Sequence, residues 1–92
     1  MLDAGELVGE EDFDAQARKT FENISTVLEQ AGSSMDSVVR LTVYLTDIGT
    51  LRDYGGIRGE FLPGPPPAGT ALQVGALAFP GMMIEVDAVA VL

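Results

Sequence analysis

Val38-Val39-Arg40-Leu41-Thr42-Val43-Tyr44-Leu45-Thr46 is the stretch on which the fold turns. It is dense in β-branched and aromatic residues and alternates with a period of two, the pattern of a half-buried strand. Successive side chains point to opposite sides of a pleat, so Val39, Leu41, Val43 and Leu45 are expected on one face. Val38, Arg40, Thr42, Tyr44 and Thr46 are expected on the other. The first set suits a core covered by helices. The second mixes polar and aromatic groups, which suits a ligand site or a subunit interface better than open water.

Upstream the period changes. Phe13, Ala17, Phe21, Ile24, Val27, Leu28 and Ala31 recur at helical spacing, while Arg18, Lys19, Glu22, Glu29 and Gln30 lie largely off that stripe. This predicts an amphipathic helix of roughly 18 residues, about 27 Å long. Asp12 is placed to cap its first turn, and Gly32 can take the left-handed conformation that ends it. Before it, Met1 to Asp12 is acidic and reads as an extended lead-in with a turn at Gly5 and Gly9. Downstream, Thr50 and Asp53 have the spacing of a capping box, and Leu51, Tyr54, Ile57 or Arg58, and Phe61 continue a helical stripe. Gly55, Gly56 and Gly59 weaken that second helix, each by about 1 kcal/mol relative to alanine. Pro63-Gly64-Pro65-Pro66-Pro67 continues neither a helix nor a sheet ladder and reads as a stiff loop. Thr70 to Leu77 alternates as a strand, and Met83 to Leu92 as a clearer one with Ile84, Val86, Ala88, Ala90 and Leu92 on its buried face. The turn at Phe79-Pro80-Gly81 makes these two strands expected antiparallel neighbours. The order helix, strand, helix, strand, strand predicts a single α+β domain over residues 1–92, with both helices on one face of the sheet.

Composition narrows the chemistry. The chain has 92 residues, no cysteine and no histidine. Disulfides, thiolate nucleophiles and zinc-thiolate sites are excluded, and base chemistry near neutral pH falls to a carboxylate, a tyrosine, a lysine or a bound water. A chain of this size buries only about 60–65% of its unfolded surface, so an oligomer interface would add needed stability. Five Lys+Arg against fourteen Asp+Glu leave a formal charge of -9. Phosphate backbones are repelled by such a surface, so no nucleic-acid partner is expected. No apolar run reaches membrane-spanning length, and the N-terminus lacks the order of a signal peptide. The expectation is no membrane association and a cytoplasmic location.

Glu85 and Asp87 are two apart on the last strand and project from the same face. Neighbouring carboxylates separate each other's pKa values and can divide acid and base work, or they simply line a solvated face. No phosphate-binding glycine loop, nucleophile elbow, metal-ligand cluster or cofactor motif is present in the sequence.

Four blocks, taken in order, resemble the RidA/YjgF family, also described as endoribonuclease L-PSP. They are Gly5-Glu6-Leu7-Val8, Asp14-Ala15-Gln16-Ala17-Arg18 running on to Phe21-Glu22-Asn23-Ile24, Asp36 through Asp47 around the central strand, and Ile84-Glu85-Val86-Asp87-Ala88-Val89-Ala90-Val91. The resemblance implies a chorismate-mutase-like mixed sheet and a homotrimer holding a small-molecule ligand in clefts between subunits. The implied activity is hydrolysis of reactive enamine or imine intermediates to ketones with release of ammonia, and no cofactor is implied. Glu85 falls where family members place a glutamate that orients the reacting water, and is the candidate catalytic residue.

The chain departs from the family pattern in three ways. It starts almost at the Gly-Glu turn, short at the N-terminus of the strands that family members usually carry. Gly69-Thr70-Ala71 matches a segment in which deaminating members carry an arginine at the first position, forming a two-pronged salt bridge with the substrate's carboxylate. Glycine leaves Thr70 and backbone N–H groups as donors. Gly69 either relieves a tight loop-to-strand junction or marks a change to an uncharged or cationic ligand. Third, Gly55 or Gly56 stands where many members have an asparagine, and the family's N-terminal tyrosine has no counterpart. Gly69, Thr70, Ala71, Tyr44 and Arg40 are the candidate ligand-binding residues, the last two as local substitutes on the polar face of the central strand. A non-catalytic small-ligand binder and a protein-interaction module of the same fold are the alternatives.

Overall fold

In the computed structural model, residues 2–3, 6–7 and 11–92 are described. Strands β1 (Leu2–Asp3) and β2 (Glu6–Leu7) pair antiparallel, Leu2 opposite Leu7. The turn expected at Gly5 and Gly9 lies outside the described residues. Helix α1 runs from Phe13 to Gln30. Its cap is the one the sequence indicates: Asp12 is extended and its carboxylate accepts from the Ala15 amide at 3.1 Å. Beyond its end, Gly32 has φ +84°, and the Ser33 amide donates back to the Leu28 carbonyl at 2.8 Å. Only a residue free of a Cβ enters that conformation without strain.

Strand β3 (Val38–Leu45) follows, then helix α2 (Leu51–Phe61), strand β4 (Ala68–Gln73) and strand β5 (Ile84–Ala90). The α2 cap differs from the expected capping box. The Thr50 hydroxyl donates to the Asp47 carbonyl at 2.7 Å instead of capping α2, and the Asp47 side chain caps a short 3₁₀ turn, Ile48–Thr50, through the Gly49 amide. A residue spent on one turn is not available to the next.

The three long strands form one mixed sheet in the order β4-β3-β5. β4 runs parallel to β3 and β5 antiparallel to it. The expected pairing of the last two strands is therefore corrected: the turn is present, with Gly81 at φ +87° and the Met82 amide bonded to the Phe79 carbonyl, yet it carries the chain past β3 to its opposite edge. The end of β3 receives both connections, since the Val74 amide donates to the Leu45 carbonyl and the Thr46 amide to the Met83 carbonyl. The most apolar strand gains most from being paired on both edges, which is the physical reason for its central place. β4 also begins and ends earlier than the expected Thr70–Leu77, and all six of its residues are exposed.

Both helices cover one face of the sheet. The core consists of Ala17 and Phe21 from α1, Tyr54 and Ile57 from α2, and Val38, Leu41, Val43, Leu45 and Ile84 from the sheet. Phe21 is fully buried and stacks on Tyr54 and Phe61 with ring centroids 5.8 and 5.3 Å apart. A register shift between Val38 and Arg40 interrupts the alternation, so that Val38 enters the core and Val39 is left 48% exposed, the reverse of the sequence expectation. Leu92 lies beyond β5 and is exposed rather than buried. Of the apolar stripe, Val27 on α1 and Ala31 just beyond its end are exposed, whereas Gln16 and Thr20 on α1 are buried. Gln16 is fully buried and clamps α1 to the approach to β5: its Nε2 donates to the Gly81 carbonyl at 2.9 Å and its Oε1 accepts from the Met83 amide at 2.8 Å. Arg18 of α1 bonds Glu60 of α2 with two prongs at 2.9 Å and Asp14 of its own helix at 2.8 Å. No helix among the described residues is long and apolar enough to cross a membrane.

Candidate functional site

Strand pairing sorts the candidate residues onto two sides of the sheet. On the side away from the helices, register builds three rows across β4, β3 and β5: Ala68, Arg40 and Val89; Thr70, Thr42 and Asp87; Leu72, Tyr44 and Glu85. Directly paired residues share a face with Cβ atoms about 4.5–5.5 Å apart, so Glu85 stands beside Tyr44. The Tyr44 hydroxyl reaches diagonally and donates to Asp87 Oδ2 at 3.2 Å. That hydrogen bond and the charge of Asp87 raise the Tyr44 pKa above its ordinary value, with smaller contributions from desolvation and Glu85. Tyr44 is thereby held as a phenol. Glu85 and Asp87 are both exposed in the single chain. Leu72 and Val89 are exposed apolar residues on the same face.

Gly69 and Ala71 are paired with Leu41 and Val43 and so belong to the helix side. There a groove of about 450 Å³ opens between α2 and β4, lined by Tyr54, Gly55, Arg58, Pro67, Gly69 and Ala71 among others. The Gly69 backbone lies outside the left-handed region, so a side chain is conformationally allowed. An added Cβ would approach the Leu41 carbonyl oxygen to 3.3 Å, a close but small intrusion. The tight-junction explanation of this glycine thus rests on proximity alone. Arg58 was outside the sequence-based site; its guanidinium lies over the Tyr54 ring, 5.8 Å from the centroid. The four-residue spacing of Tyr54 and Arg58 on one helix is the signal that points to it. Burial raises the Tyr54 pKa, partly countered by the Arg58 charge.

A second groove, about 460 Å³, runs between α1 and the β5 side of the sheet, with Ile24, Val27, Leu28, Phe79 and Met82 on its walls and Glu85 and Asp87 also bordering it. The structure therefore brings Tyr44, Glu85 and Asp87 together. It does not bring Glu85 and Gly69 together within one chain, because β5 and β4 are the two outer strands and the two residues belong to opposite sides of the sheet. Arg40 is likewise on the side opposite Gly69. Among the described residues, no cluster of three or more His, Cys, Asp or Glu is arranged to hold a metal ion.

A family model described as endoribonuclease L-PSP matches residues 2–92. Protein DfrA of Myxococcus xanthus is 40% identical over 77 residues, which cover 84% of this chain and 58% of that protein. A RutC family protein of Pyrococcus abyssi is 34% identical over 88 residues, covering 96% of this chain and 68% of its own length. The crystal structure of RidA from the Antarctic bacterium Psychrobacter sp. PAMC 21119 matches with a TM-score of 0.87 at 36% identity, covering 96% of this chain and 69% of that one. The chain thus spans about 58% to 69% of the length of these relatives.

Proposed function

The chain belongs to the endoribonuclease L-PSP family, known also as RidA/YjgF, and from that premise we propose that it is a cytoplasmic small-molecule protein that hydrolyses reactive enamine or imine intermediates. The observation that carries the reading is the cross-strand group of Glu85, Tyr44 and Asp87 on the sheet face opposite the helices. In this mechanism Glu85 takes a proton from water as the oxygen adds to the C=N carbon, and returns it to the nitrogen. The resulting carbinolamine then collapses to a ketone and ammonia. Tyr44, kept protonated by Asp87, offers a phenol to the same space.

Homotrimer formation completes the site. The open face carries Leu72 and Val89 beside its polar groups, which favours burial against another subunit, and the groove beside Gly69 needs a second subunit to meet a Glu85. The formal charge of -9 weighs against nucleic acid as the substrate, whatever the family description.

Ammonia release from imines generated in situ tests the reading. Glu85→Ala is expected to lower turnover by about 10²–10⁴-fold, the range for removing a positioned acid-base group. Unchanged turnover refutes the role of Glu85. One observation favours a second reading, a binder without catalysis: Glu85 is exposed in the single chain. Ligand binding without ammonia release in the wild type would support it.

A further inference from the structure

We propose that the outer edge of β5 is a docking site for an extended segment of a partner protein, one that alternates apolar residues with lysine or arginine. The segment adds a fourth strand to the three-stranded sheet, with its apolar residues under α1 and its basic residues beside Glu85 and Asp87. Strand addition at this edge does not depend on the hydrolytic role of Glu85.

Three observations define the occupant. First, among the described residues β5 is paired on one side only, with β3. The Thr46 amide donates to the Met83 carbonyl, and in that register Glu85 and Asp87 direct their backbone groups to β3. Val86 and Ala88 therefore direct theirs outward, where no bond to another described residue is formed. A row of such groups is a template for another strand. Second, one side of this edge is apolar. The groove of about 460 Å³ between α1 and β5 has Ile24, Val27, Leu28, Phe79 and Met82 on its walls, with Val27 61% and Phe79 48% exposed. Alternate side chains of an added strand point into that space. Third, the other side of the edge is acidic. Glu85 and Asp87 border the groove, no Lys or Arg lines it, and among the described residues neither carboxylate is paired with a cation. Opposite charges directly across two strands attract and like charges repel.

Charge decides among the occupants. A second copy brings a further formal charge of -9 to this edge, which opposes pairing of β5 with itself, whereas a basic segment is drawn to it. Alternation then fixes which way the segment faces, because a slip of one residue pushes its cations into the apolar groove. β4, the other outer strand, is the poorer edge. Pro65, Pro66 and Pro67 lead into it and Gly69 lies within it, while β5 contains no Pro, Gly, Lys or Arg.

The probe is an acetylated and amidated octapeptide alternating lysine and valine, titrated into ¹⁵N-labelled protein at low salt, with its glutamate-valine counterpart as control. The lysine-valine peptide is expected to slow hydrogen exchange of the Val86 and Ala88 amides and to bind about tenfold more tightly than the control, a preference that shrinks as salt is raised. Val27→Asn, an uncharged change at an exposed position on the groove wall, is expected to weaken it by about tenfold, and Leu72→Asn on β4 to leave it nearly unchanged. Asp87→Lys is expected to reverse the preference between the two peptides; if that variant folds poorly, Asp87→Asn should narrow it. Equal binding of the two peptides, or binding of neither, overturns the proposal. Protection confined to the amides of Ala68–Gln73 places the added strand on β4 and overturns it as well. Val86 and Ala88 amides already protected in the free protein show an edge covered without a partner, by a second copy if protection falls on dilution and by the chain itself if it does not, and either result overturns it.

Discussion

Replacing Gln16 with leucine tests the least expected element of the packing. Gln16 is fully buried, and each end of its amide meets a backbone group more than sixty residues away, the Gly81 carbonyl at 2.9 Å and the Met83 amide at 2.8 Å. Leucine is close in size and removes both bonds. A net hydrogen bond contributes about 1 kcal/mol, and a buried backbone group left without a partner costs about 1–3 kcal/mol. Two stranded groups, offset by the burial of an apolar side chain, give an expected loss of about 2–4 kcal/mol. That is a large share of the roughly 5–15 kcal/mol that holds a domain together, and at about 4–8 °C per kcal/mol it lowers Tm well beyond experimental error. Urea unfolding at fixed protein concentration measures it, with the hydrogen exchange of the Met83 amide as a local readout. A loss below about 1 kcal/mol with Met83 protection unchanged would refute the clamp. Gln16→Glu gives an independent signature. One carboxylate oxygen would still accept from Met83 while the other faces the Gly81 carbonyl, so the folded-state pKa rises above the unfolded value of about 4.3. This variant is then closest to the wild type below pH ~4.3 and loses stability as pH rises through the folded pKa.

Phe21→Ala removes a fully buried ring from a stack of three and is expected to cost about 3–5 kcal/mol in equilibrium unfolding; a cost near 1 kcal/mol would mean the cavity collapses or the ring is not in the core. The chain has two tyrosines, and both are expected to ionise above the ordinary phenol value of ~10 in an absorbance titration, Tyr44 because of Asp87 and Tyr54 because of burial. Since the Tyr44 pKa is raised by folding, its contact with Asp87 contributes below the unfolded phenol pKa and is lost as pH rises through the folded one. Asp87→Asn should bring down one of the two transitions only, and a titration in which neither moves would show that the Tyr44–Asp87 hydrogen bond is absent in solution.

The residue pattern alone determined the elements that depend on local periodicity. α1 with its Asp12 and Gly32 ends follows from spacing and capping chemistry, and β3, α2 and β5 follow from spacing alone, because a helix or strand buries a face set by its own repeat. The placement of the candidate residues was partly legible too: alternation put Arg40 and Tyr44 on the polar face of β3, and the two-residue spacing put Glu85 and Asp87 on one face of β5. Which strands become neighbours was decided only in three dimensions. Backbone hydrogen bonds are the same for every partner, so the turn before β5 could not tell whether that strand returns to β4 or passes to the far edge of β3. The register shift at Val38 and Arg40 likewise reversed which valine is buried, since one extra residue in a ladder exchanges the two faces. Tertiary structure alone also separated Gly69 from Arg40, set Arg58 across the groove from Gly69, and buried Gln16 against Gly81 and Met83. These pairings join residues distant in the chain, and no repeat within a segment encodes them, because their free energy exists only after the layers have packed.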